Sequence, residues 1–137
     1  MKNYKLYYLI SLALFSIAII SAVINSYVNY NIVASKFISL GYPAYLIEVL
    51  GVAQILGLVI IFTRRSKWMV EWAYSGFFTN LILGIIAHLL VKDGNGAMAV
   101  FCLTLLLVNY ILYKRKNVEH KKYIKKVKEK VQLRKVV

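Results

Sequence analysis

Four side chains with chemistry to offer stand inside otherwise greasy stretches of this 137-residue sequence: Glu48, Gln54, Asn80 and His88. A carboxylate can hold a proton or a cation. An imidazole titrates near neutrality and can bind an anion or a carbonyl. Amides both donate and accept hydrogen bonds. Polar groups left unpaired in hydrocarbon cost several kcal/mol, so each needs a partner or a use. Glu48 and His88 are expected at one depth near the outer surface, where a carboxylate would keep the imidazole charged. Such a pair would suit an anion, a quinone carbonyl or a proton. The plain alternative is that both reach surface water without a ligand. Gln54 and Asn80 are expected deeper, at matching depth, as a hydrogen-bonded link between helices or as ligand contacts.

Other chemistry lacks its residues. Cys102 is the single cysteine, so there is no CxxC thiol pair. His120 lies far from the apolar stretches and gives His88 no intramembrane partner for a haem. No HExxH zinc motif and no glycine-rich phosphate loop occurs, and no metal site is expected. A quinone needs no covalent ligand and stays open as a cofactor. Catalysis by this chain alone is not expected.

The elements that position these residues follow from the distribution of charge. The chain is 61% hydrophobic yet carries a net charge of +13. That apolar content excludes general disorder. Four stretches are long and apolar enough to span a membrane: residues 6–24, 45–62, 72–91 and 97–113. Backbone groups in lipid must bond within their own segment, so each is expected to be helical. Short later connections imply an all-α, antiparallel four-helix transmembrane bundle over residues 1–113. The first span could be a signal peptide, but its apolar run exceeds the usual length of about 7–15 residues. An uncleaved helix is expected.

Basic residues set the orientation. Lys2 and Lys5, then Arg64, Arg65 and Lys67, then eleven residues after Tyr113 fall on one side. Only Lys36 and Lys92 fall on the other. Both termini are therefore expected in the cytoplasm, in a bacterial inner membrane. Aromatic residues gather near the span ends, with Tyr42 and Tyr45 as outer anchors and Trp72 as an inner one. Glu71 suits the positive start of the third helix and the basic residues of the preceding connection. In the long first connection, Ile32, Val33, Phe37 and Leu40 recur at helical spacing. A short interfacial helix is expected there, capped by Asn31 and closed by Gly41.

Gly51, Gly57, Gly76 and Gly84 are expected as packing positions, because small residues let helices approach closely. Residues 114–137 form a strongly basic tail, an amphipathic helix or a partly disordered segment. Lys121, Lys122, Lys125 and Lys126 are expected on the anionic inner leaflet, at about 1 kcal/mol per basic residue near the surface. Nucleic acid is not expected as a partner, since no recognition motif is present.

Two aromatic-rich segments carry a resemblance. Leu40-Gly41-Tyr42-Pro43-Ala44-Tyr45 and Glu71-Trp72-Ala73-Tyr74-Ser75-Gly76-Phe77 resemble the DoxX-like family of small bacterial four-helix membrane proteins. The likeness extends through Gly51–Gly57 and His88-Leu89-Leu90-Val91-Lys92-Asp93-Gly94, and covers about residues 5–113. It implies the same bundle and a link to membrane redox systems. Members often carry ionisable groups where this chain has Gln54 and an acid near the Asn80 position. The neutral amides remove groups that a proton-handling role would use. The resulting expectation is a non-catalytic subunit or assembly partner, with a redox protein or a second copy as partner. The alternatives are a quinone- or small-ligand-binding oxidoreductase component using Glu48 and His88, and a small-molecule transporter.

Overall fold

The computed structural model describes residues 3–92, 94 and 96–136, with side chains to 133. Lys2 and Asp93, and the side chains of Arg134 and Lys135, lie outside the described residues. The chain forms α1 (Tyr4–Val28), α2 (Tyr30–Ser39), α3 (Leu46–Thr63), α4 (Lys67–Val91) and α5 (Gly96–Val136). No strand occurs among the described residues. α1, α3, α4 and the first part of α5 are each long and apolar enough to cross a membrane.

Helix bounds depart from the apolar stretches where hydropathy and helix propensity disagree. α4 starts at Lys67, five residues before the expected span, because Ser66 is extended (φ −134°, ψ 130°) and helical backbone follows it. α5 runs through Lys114 without a break for 41 residues. Residues 97–137 contain no Gly or Pro, and Lys, Glu and Arg are good helix formers. At 1.5 Å per residue α5 is about 60 Å long, twice a hydrocarbon core of about 30 Å.

The first connection does contain a helix, with one correction at its start. The carbonyl of Asn29 accepts the first bonds, from the Ile32 and Val33 amides at 3.0 Å. Asn31 lies inside α2 rather than capping it. The side chain of Asn29 is drawn away, donating through Nδ2 to Asn25 Oδ1 at 2.8 Å. Gly41 closes the helix at φ +80°. Its amide bonds the Ile38 carbonyl at 3.0 Å, while the Tyr42 amide bonds that of Phe37 at 2.8 Å. This paired closure requires a left-handed residue, which glycine supplies at no steric cost.

Four helices close a ring: α1 packs on α5 and α3, and α4 packs on the same two, while α2 packs on α1. On α1 the core residues Tyr8, Leu12, Phe15, Ile19 and Val23 recur every three or four positions. They meet Leu58 and Ile61 of α3, Tyr74, Phe77 and Leu81 of α4, and Leu106 and Tyr113 of α5. The outward faces are equally apolar, with Ile17, Trp72 and Leu89 all more than 60% exposed. A helix that is apolar all round belongs in the core of a large protein or in a membrane, and a chain of this length has no such core to offer.

Candidate functional site

All five helices line one cavity of about 540 Å³ at the end of the bundle that carries α2. Its walls are mostly apolar, with Tyr27 of α1, Phe37 of α2 and Met98 and Cys102 of α5. Gln54 projects from α3, and Asn80 and His88 from α4. Gly51 admits the neighbouring phenol: a Cβ there would lie 3.2 Å from Tyr27 Oη. Gly84 also borders the cavity, and a Cβ there would meet no atom within 4 Å.

Two expectations are revised. Glu48 is exposed and is not among the residues that line the cavity with His88. It directly follows Ile47, which is 3% exposed and faces the cavity, so the helical turn carries Glu48 outward. The cross-helix amide link is not made either, since Gln54 and Asn80 do not hydrogen-bond each other. Instead both stand between this cavity and a second groove of about 480 Å³ along α3 and α4. That groove is lined by Trp68, Met69, Trp72 and Gly76. A Cβ on Gly76 would also meet open space.

The opposite end holds a buried polar centre that the sequence reading missed. Asn109 of α5 is 0% exposed. Its Nδ2 donates to the Tyr8 carbonyl at 3.1 Å and to Ser11 Oγ at 2.8 Å. Its Oδ1 accepts from Tyr74 Oη at 2.5 Å. Ser11 Oγ in turn donates to the Tyr8 carbonyl at 3.1 Å. One side chain thus ties α1, α4 and α5 together. The available signal is an asparagine inside the fourth apolar stretch, a polar group that lipid leaves without a partner unless the bundle supplies one.

Around this centre lie packed tyrosines, edge-on or tilted to one another. Tyr74 meets Tyr110 at 5.1 Å and Tyr113 at 5.6 Å between ring centroids. Glu71 sits at their edge. It bonds Lys114 rather than the basic connection, with Lys114 Nζ 2.7 Å from its Oε1 and Tyr110 Oη donating to Oε2 at 2.8 Å. Tyr110 and Lys114 are four apart on α5, so one helix face presents both. The ion pair is half exposed, and such pairs contribute about 0–1 kcal/mol. Glu71→Gln is therefore expected to lower stability by less than about 1 kcal/mol, read by detergent-denaturation titration.

Trp72 is largely exposed and packs on Trp68, with ring centroids 5.4 Å apart. Tyr42 and Tyr45 are exposed as well. Lys121, Lys122, Lys125 and Lys126 are exposed along α5. No group of three or more potential metal ligands occurs among the described residues. Residues 9–110 match the DoxX-like family. No curated protein matches the chain, and no solved structure does.

Proposed function

Given that the chain belongs to the DoxX-like family, we propose that this multi-pass membrane protein is a non-catalytic subunit holding a quinone-class lipid for a redox partner. The carrying observation is the cavity: hydrogen-bonding side chains, Gln54, Asn80 and His88 among them, on walls that are otherwise largely apolar. A quinone presents carbonyl acceptors on a flat ring and an apolar tail. The two amide NH2 groups are neutral donors that suit such carbonyls. Their neutrality favours binding over proton transfer. Glu48, on the outer surface of α3, has no part in this site.

The orientation belongs to the same reading. The basic residues of the α3–α4 connection and of the α5 extension support a cytoplasmic location for that end, in a bacterial inner membrane. The quinone cavity then lies in the outer half of the bilayer. The exposed lysines of the α5 extension draw this end toward anionic lipid.

The test is the lipid that co-purifies. Wild-type protein in mild detergent should carry quinone, detected by extraction, ultraviolet absorbance and mass. Gln54→Leu/Asn80→Leu should express at the wild-type level yet retain roughly tenfold less, the loss of about two modest hydrogen bonds. Equal quinone in both proteins, or none in the wild type, would overturn the assignment.

A further inference from the structure

The inner end of the bundle gathers positive charge around one ring. Tyr8 is 0% exposed. The guanidinium carbon of Arg64 lies 4.4 Å from its ring centroid, and Lys116 Nζ lies 5.0 Å from it. Arg64 reaches this place from the end of α3, where its own backbone is left-handed at φ 48°. Lys116 comes from α5, just beyond the apolar span. A third cation, Lys5 of α1, acts on Lys116 together with Arg64. Burial pushes the Lys116 ammonium below the ordinary lysine range, and these two like charges push the same way.

No carboxylate answers them. Glu71, at the same end, is taken by Lys114 and Tyr110. No ion pair to Lys5, Arg64 or Lys116 occurs among the described residues. Arg64 Nε is buried without a hydrogen-bond partner, and so is Tyr8 Oη. The ring face attracts each cation, by about 0.5–2 kcal/mol, but it cancels no charge and satisfies no N–H. Converging cations from three helices with an unused guanidinium donor are complementary to an anion. A guanidinium fork beside an ammonium matches phosphate oxygens best.

We propose that Arg64 and Lys116, on the ring of Tyr8 and with Lys5 adding positive charge, form a phosphate-binding site at the inner mouth of the α1–α3–α5 junction. Its ligand is the phosphate of an anionic lipid headgroup or a free phosphate ion. Bound there, the phosphate bridges the cations of α3 and α5, which otherwise repel at this end. The site differs from the exposed lysines further along α5, which have no buried donor among them.

Native mass spectrometry of the full chain, titrated with phosphatidylglycerol or phosphatidylcholine, tests this. The first phosphatidylglycerol should bind at least about tenfold more tightly than phosphatidylcholine. Arg64→Gln/Lys116→Gln should abolish that preference, and Lys121→Gln/Lys125→Gln should keep it. Lys116→Gln alone, which leaves the α3 cap untouched, serves should the double variant fail to fold, and should weaken the preference severalfold. Excess inorganic phosphate that displaces the lipid identifies free phosphate as the ligand. Retention in excess phosphate identifies the headgroup. No preference in the wild type, or an undiminished preference in both Lys116 variants, would overturn the proposal.

Discussion

Replacing Asn109 by leucine should destabilise the bundle by about 2–4 kcal/mol, the largest expected effect of any single polar substitution in the spans. Hydrogen bonds in membranes average under about 1 kcal/mol each, so bond number alone would give a smaller figure. The larger cost comes from what is left behind. Tyr74 Oη loses the acceptor it donates to, while Ser11 Oγ and the Tyr8 carbonyl lose a donor. All three lie in a region whose neighbours are 0–6% exposed, where water does not compensate. The same physics predicts a rescue. Tyr74→Phe in the Asn109→Leu background removes the stranded hydroxyl and should recover about 1 kcal/mol, whereas Ser11 keeps its own bond to the Tyr8 carbonyl and needs no change. Reversible unfolding in mixed micelles reads both. A loss under about 0.5 kcal/mol for Asn109→Leu would show that the centre is not structural.

Asn109 also marks the limit of what the residues disclose by themselves. Span number and helical state follow from apolar length, since lipid leaves the backbone no other solution. Gly41 closes α2 as its spacing suggests, because a left-handed closure depends on local sequence alone. The facing of polar groups does not follow in this way. A depth estimate puts Glu48 and His88 at one level, but a helix turns 100° per residue, and Ile47 takes the inward position instead. Glu71 shows the same limit. The adjacent connection offers three basic residues, yet its partner comes from Lys114, 43 positions later, because α5 packs beside α4. The start of α4 and the continuity of α5 escaped hydropathy for another reason. Charged residues end an apolar stretch without ending a helix.

The glycines divide by the same criterion and carry the second large effect. Gly57→Ala should cost about 1–3 kcal/mol. Its added Cβ would sit 2.8 Å from Phe77 Cε2 and 3.1 Å from Cζ, closer than carbon atoms approach. Phe77 cannot retreat cheaply. It is 4% exposed and stands edge-on to Phe15, with ring centroids 5.1 Å apart at 85°. The strain must therefore spread into α1 as well as α4. Gly76→Ala meets open space and should be neutral or stabilising by up to about 1 kcal/mol, the ordinary gain of alanine over glycine in a helix. Both are glycines in apolar helices, so composition assigns them one role and geometry assigns two. Phe77→Leu shortens the ring that the new methyl strikes, and should make Gly57→Ala nearly silent. A double-mutant cycle on the two positions should then show coupling of about 1 kcal/mol or more. Additive effects would mean that Gly57 serves helix flexibility rather than the close passage of α4 over α3.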